Sequence, residues 1–288
     1  MQRLSTVQAM QQEADAARSA GRRLVLVPTM GALHEGHLAL VQAARHHGDH
    51  VTVSIFVNPT QFGPGEDFEQ YPRTLEADLA ALQAVGGAEV VFTPTVEAFY
   101  PDGPAMQRTW VTVTELDAHL CGAHRPGHFQ GVTTVVAKLF HACRPHVAVF
   151  GRKDAQQLLI LRRMARDLNL GIELVGVPTV REPDGLARSS RNRFLSPAER
   201  AQAPVLYQAL QATEGAIRGG ERRTEALVEG LRRHLGTAPD ARIQYASLVD
   251  TERLQPVETL PLHGEVLVAV AVYFGATRLI DNVFVQVP

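Results

Sequence analysis

Cysteine is almost absent: Cys121 and Cys143 are the only two in 288 residues. Two thiols build neither a disulfide framework nor a tetrahedral zinc site, and the simplest fit is a reducing cytoplasm. Long apolar runs are missing too. No stretch approaches the roughly 20 apolar residues of a membrane span. The opening MQRLSTVQAMQQEADAARSAGRR has no apolar core of signal-peptide length. A soluble, intracellular protein is expected. Nor is there a surplus of charge, since the net is −2 with no block of one sign. Nucleic-acid binders usually carry a basic face, so a polyanion is not expected as the main partner, whereas a local pocket for a phosphate remains open. No internal repeat or low-complexity tract is apparent.

What is present is an ordinary globular balance, 45% hydrophobic and 20% charged, at a length that suits two domains. LVLVPTM (24–30), VTVSIFVNP (51–59), EVVFTP (89–94), VAVFG (147–151) and IELVGVPTV (172–180) read as buried strands. Their near-continuous Val, Ile and Phe content suits a parallel sheet covered on both faces. Helical patterns lie between them at 37–47, 74–85, 131–142 and 154–168. Such alternation builds a doubly wound α/β sheet, which binds ligands beyond the carboxyl ends of its strands. After the loop REPDGLARSSRNRFLSP (181–197) come helical patterns at about 197–218 and 221–235. Three β-type runs follow, RIQYASLVD, EVLVAVAVYFG and LIDNVFVQV. The expected division is a Rossmann-like domain over 1–180 and a smaller α+β domain over 181–288.

Five segments carry chemistry. In PTMGALHEGHLALV (28–41), His34 and His37 stand where a strand hands over to a helix. Free backbone N–H groups and the helix dipole favour anions there, and two imidazoles add hydrogen-bond donors. Gly31 and Gly36 let the backbone approach a ligand closely. The competing reading is a pair of surface histidines beside a turn. Zinc is the weaker alternative, because no third ligand is near in sequence. In FVNPTQFGPGEDFEQYPRTLEADL (56–79), Asn58, Gln61 and Tyr71 are polar groups at the end of an apolar strand. They suit a hydroxyl- or carboxyl-bearing small molecule, although Asn-Pro is also a plain turn signal.

In RPGHFQGVTTVVAKLF (125–140), Arg125 and His128 precede a helix and suit a carboxylate or phosphate, with Gln130–Gly131 at the helix start. Lys138 on its apolar face reads as a snorkelling side chain. In VFGRKDAQQLLILRRM (149–164), Lys153 follows a strand, a placement suited to phosphate oxygens. Asp154 reads as the cap of the next helix, and Gln157 faces the same end of the sheet. In GLARSSRNRFLSP (185–197), Ser189, Ser190 and Arg191 compose a loop able to close over a triphosphate, or else a solvated linker.

Taken in order, PTMGALHEGHLALV, VSIFVNPTQFG, YPRTLEADL, RPGHFQGVTTVVAKLF, KDAQQL, VGVPTVRE and DGLARSSRNRFL resemble the pantothenate synthetase (pantoate–β-alanine ligase) family of the HxGH nucleotidyltransferase superfamily. The resemblance spans about residues 28–197. It implies a Rossmann-like domain binding ATP and pantoate, and a lid domain after residue 180. The implied reaction joins pantoate to β-alanine through a pantoyl adenylate, with MgATP as substrate and AMP and pyrophosphate released. His34, His37 and Lys153 would be catalytic. Met30, Gly36, Gly151, Asp154, Val180, Ser189, Ser190 and Arg191 would join them in holding ATP. Gln61 and Gln157, with Met30, would hold pantoate. Asn58, Tyr71, Arg125 and His128 would line the β-alanine side, and Asp78 would lie near Mg²⁺. A cytoplasmic homodimer with no nucleic-acid or membrane partner is implied as well.

Four positions depart from the family pattern. Arg152 and Ala155 stand where it has Glu and Tyr or Phe around Lys-Asp, Thr60 replaces a Met, and Arg188 replaces a Met, Leu or Ala. Competing functional readings are an adenylyltransferase that stops at AMP transfer, a nucleic-acid-binding relative of the tRNA synthetases, and a catalytically dead nucleotide binder.

Overall fold

Six short strands open the structure, a computed structural model that describes residues 1–66 and 68–288. They are β1 (Gln2–Leu4), β2 (Leu24–Thr29), β3 (His50–Ile55), β4 (Val90–Phe92), β5 (Val147–Gly151) and β6 (Glu173–Val177). All their pairings are parallel, in the order β1-β4-β3-β2-β5-β6. The sheet belongs to a first unit comprising residues 1–113, 125–152 and 160–178. Parallel strands joined through helices bury both faces, which explains why the strand segments are apolar throughout rather than alternating. Val25, Val27, Val51, Val53, Val91, Val147 and Val149 form a core with Leu40, Val41 and Ala44 of the helix Glu35–Ala44 and Leu82 of the helix Leu75–Val85. Chain order reverses between β2 and β5. In an open parallel sheet that reversal leaves a crevice beyond the carboxyl ends of the two strands.

The second unit comprises residues 114–124, 153–159 and 179–288. Its sheet is antiparallel, β7 (Ala241–Asp250), β8 (Gly264–Phe274) and β9 (Thr277–Val287), with a register shift between Ile243 and Tyr245. The helices Val205–Arg218 and Thr224–Leu235 bury Leu206, Leu210, Ile217, Leu227 and Leu231 together with Leu248, Val268, Val270 and Val285 of the strands. The expected α/β sheet with a smaller α+β part is therefore present.

Several element bounds differ from expectation for local reasons. The pattern at 51–59 ends as a strand at Ile55, because Asn58 and Pro59 start a 3₁₀ turn, Pro59–Gln61. The pattern at 172–180 stops at Val177, before Pro178. The single helix expected over 197–218 is two, Pro197–Gln202 and Val205–Arg218, since Pro204 has no N–H to continue the ladder. The helix expected from Gly131 begins earlier, spanning His128–Cys143. β1 and the helix Val7–Ser19 have no counterpart among the expected elements. Both cysteines are buried and unbridged. Among the described residues no helix is long and apolar enough to cross a membrane.

Candidate active site

The turn after β2 is built by hydrogen bonds that leave little freedom. Thr29 Oγ1 donates to the Ser54 carbonyl at 2.7 Å and accepts from Gly31 N at 3.3 Å. Gly31 has φ of +82°, and a Cβ there would stand 2.9 Å from Asp78 Oδ2 and 3.1 Å from Ile55 Cγ2. Only glycine meets both demands. The Asp78 carboxylate then accepts from Ala32 N (3.0 Å), Leu33 N (2.8 Å) and Thr74 Oγ1 (3.2 Å).

His34 is the N-cap of the helix Glu35–Ala44. Its Nδ1 accepts from Gly36 N at 3.1 Å, and His37 Nδ1 accepts from His34 N at 3.3 Å. Each bond needs an unprotonated Nδ1, so both neutral rings carry their proton on Nε2. The rings lie 4.1 Å apart, tilted by 35°. The helix start thus fixes the tautomer of both imidazoles and makes both Nε2–H groups donors. This is the arrangement suited to oxygen charge at a helix N-terminus. The β2 terminus, next to the strand-order reversal, carries it.

A buried amide cluster flanks this turn. Asn58, 1% exposed, donates through Nδ2 to Gln61 Oε1 and to the Gly131 carbonyl, both at 3.2 Å. Its Oδ1 accepts from Tyr100 Oη (2.7 Å) and Thr60 Oγ1 (3.1 Å). Gln61 Nε2 points to Met30 Sδ at 3.1 Å. Thr60, one of the four departures, is accounted for: its hydroxyl also lies 3.2 Å from Tyr100 Oη. Burial pushes the Tyr100 hydroxyl up from its ordinary value against an opposing hydrogen bond from Thr60. Tyr100 also carries Lys138, whose Nζ lies 4.6 Å from the ring centroid; burial lowers that amine. Gly131 makes the cluster possible, because a Cβ there would overlap the Thr60 carbonyl. Tyr71 is buried edge-on to Phe62.

Arg125 and His128 are engaged by a residue the sequence does not single out. Arg125 donates to both Glu66 oxygens at 2.6 Å, and its Nη1 lies 2.9 Å from His128 Nε2. An arginine only donates, so His128 Nε2 accepts, and its Nδ1–H donates to the Gln61 carbonyl at 2.8 Å. Burial raises the Glu66 carboxyl, but the Arg125 hydrogen bonds and charge outweigh it and hold it below the usual range. A depressed carboxylate contributes stability above its ordinary value, lost as pH falls through its folded value. The Tm difference between the unmodified protein and Glu66→Gln is therefore expected to be largest near pH 7 and to shrink below about pH 4. A difference independent of pH would count against this relay.

The remaining expected residues lie elsewhere in the chain. Gly151 closes β5, and Arg152, another departure, donates to the Gly176 carbonyl at 3.2 Å. In the second unit, Lys153 and Asp154 finish the 3₁₀ turn Arg152–Asp154, and Gln157 is half-buried on the following helix. Ala155 is buried. Its neighbour Gln156 is the fixed amide, bonding Leu116 O, His119 O and Cys121 N at 2.9 Å each. The loop expected to close over a triphosphate has a pinned stem. Arg181 pairs with Ala187 in a β-bridge, Arg188 N donates to Val180 O at 2.9 Å, and Arg200 holds Asp184 (2.6 Å) and Glu182 (3.0 Å). Ser189 caps the turn Ser190–Phe194, accepting from Arg191 N at 3.2 Å.

Asp78 is 3% exposed and its oxygens accept three hydrogen bonds, which makes it an anchor of the loop after β2. Among the described residues no group of three or more His, Cys, Asp or Glu could hold a metal ion.

The model of the pantoate-beta-alanine ligase family matches residues 2–284. The chain belongs to that family. It is 62% identical to the pantothenate synthetase of Salinibacter ruber over 100% of this chain and 99% of that one, and 52% identical to that of Chloroherpeton thalassium over 98% of each. The crystal structure of pantothenate synthetase from Thermus thermophilus superposes with a TM-score of 0.88 at 46% identity, covering 98% of this chain and 99% of that one. A Francisella tularensis pantoate-beta-alanine ligase, complexed with beta-gamma ATP and beta-alanine, gives 0.79 at 31% identity over 98% and 97%. Family membership makes the chain an enzyme, a carbon–nitrogen ligase of pantothenate biosynthesis, and the pantoate–β-alanine ligase fold is shared over its whole length.

Proposed function

We propose that this ligase works in two steps on MgATP, pantoate and β-alanine. A pantoate carboxylate oxygen attacks the α-phosphorus of ATP; the new P–O bond forms as the bond to pyrophosphate breaks. The β-alanine nitrogen then attacks the acyl carbon, AMP leaves with the former carboxylate oxygen, and the ammonium loses a proton. The pair of Nε2–H donors at the helix start carries this reading, because it presents two directed donors where phosphate charge would collect. His34, His37 and Lys153 stabilise charge on the transferring phosphate. Gly36, Gly151, Asp154, Val180 and the Ser189–Arg191 segment hold the nucleotide. Gln61, Gln157 and Met30 orient pantoate, with Asn58 and Tyr71 on the amine side. Glu66 bonds Arg125, so Arg125 and His128 serve that side by fixing the Gln61 backbone. Mg²⁺ enters with ATP as substrate, and no step runs through a protein-held ion.

In the same reading, residues 1–180 bind ATP and pantoate while 181–288 act as a lid, in a cytoplasmic homodimer. Light scattering at twice the chain mass tests the last point. The chemistry is tested by following pyrophosphate exchange and AMP release with pantoate, β-alanine, both or neither. Exchange is expected with pantoate alone, and net AMP only with both. Exchange that requires the amine, or AMP release indifferent to pantoate, would overturn the order of steps.

A further inference from the structure

The middle of β9 is odd for a strand in an antiparallel core. Asp281 and Asn282 are adjacent, point to opposite faces, and are 2% and 6% exposed. Two polar side chains buried side by side cost stability unless each is spent on a specific partner. Asp281 takes two bonds from Arg181, at 2.6 and 3.0 Å. Arg181 stacks 3.6 Å over the Tyr207 ring, donates to Gly185 O at 3.1 Å, and begins the stem that leads to Ser189–Arg191. Asn282 reaches the other way: its Nδ2 donates to the Lys153 carbonyl at 2.7 Å, across 129 residues of chain.

We propose that Asn282 is a positioning residue for Lys153. One strand thereby fixes both the Lys153 turn and the stem of the Ser189–Arg191 loop. The 3₁₀ turn carrying Lys153 is three residues long and links β5 to the helix Ala155–Asp167. The Lys153 carbonyl is clamped by a side chain from the middle of a strand paired along its length with β8, so the backbone that aims the ammonium group takes its position from β9. Misplacement of a charge-stabilising group by about 1 Å costs roughly 10²-fold in rate, so such a clamp matters even though Asn282 reaches Lys153 through its backbone carbonyl.

The inference rests on the role given to Lys153 above. The test follows pantoate-dependent pyrophosphate exchange in Asn282→Ala, Asn282→Asp and Val283→Ala, with Tm measured alongside. Asn282→Ala is expected to lose about tenfold in kcat, the worth of one neutral hydrogen bond, with KM for pantoate and ATP within about twofold. Asn282→Asp keeps the volume but turns an acceptor toward the carbonyl; it is expected to lose at least as much, and decides the matter if the alanine variant folds poorly. Val283→Ala trims the same strand without touching the clamp, and is expected to lower Tm and leave kcat intact. Unchanged kcat in both Asn282 variants, a loss confined to KM, or an equal kcat loss in Val283→Ala would overturn the proposal. Absence of pantoate-dependent exchange in the unmodified protein would instead remove the proposed function, a distinct result.

Discussion

His37→Ala is expected to lower kcat by about 10²- to 10³-fold, with far smaller changes in KM for ATP and pantoate. The figure is that of one preorganised donor lost from a transition state, about 3 kcal/mol. Its Nδ1 also accepts from His34 N, so part of the damage is to the helix start, worth about 1 kcal/mol. His37→Asn separates the two roles: its Oδ1 is able to accept from His34 N, but it has no Nε2–H. Tm is expected to recover in that variant while kcat stays low. Recovery of both would reduce His37 to a cap, and near-normal turnover in His37→Ala would remove it from the chemistry.

Asp78→Ala is expected to destabilise the protein by about 2–3 kcal/mol. It leaves the half-buried N–H groups of Ala32 and Leu33 without their acceptor, and releases the exposed Thr74 hydroxyl to water. A fall of roughly 5–10 °C in Tm would follow for a protein of this size. Because the same carboxylate shapes the turn that presents His34, activity is expected to fall with it. The Mg²⁺ concentration for half-maximal activity is the discriminating readout. An anchor leaves it unchanged in the variant that remains folded, whereas a metal ligand shifts it upward about tenfold.

The turn after β2 was legible because its signals are local: the apolar strand, two glycines and both histidines fall within fourteen residues. The same holds for the five main parallel strands, whose β-branched runs end at proline or polar residues. What escaped was non-local or chemically quiet. Glu66 lies 59 residues before Arg125, and nothing in its own neighbourhood marks it as the partner that takes up that guanidinium. Tyr100 sits after a four-residue helix with no motif, yet supports both Asn58 and Lys138. The helix Val7–Ser19 buries Met10, Ala14 and Ala17; alanines at helical spacing give a faint apolar stripe. Asp281 and Asn282 interrupt a strand pattern that otherwise reads as core, and their partners lie about 100 residues or more upstream. A break in an apolar run was the only signal available, and it pointed to a place without naming a purpose.

The contact made through Gly131 fixes a frame of reference. A helix normally keeps its neighbours at arm's length with side chains; here the backbone of the first turn of His128–Cys143 lies directly on the carbonyl of Thr60. Asn58 bonds the Gly131 carbonyl and Gln61 bonds Asn58, so the two amides take their coordinates from that helix rather than from the strand they follow. Any tilt of the helix would carry both amides with it as one piece, so their placement answers to changes along His128–Cys143 more readily than to changes in β3.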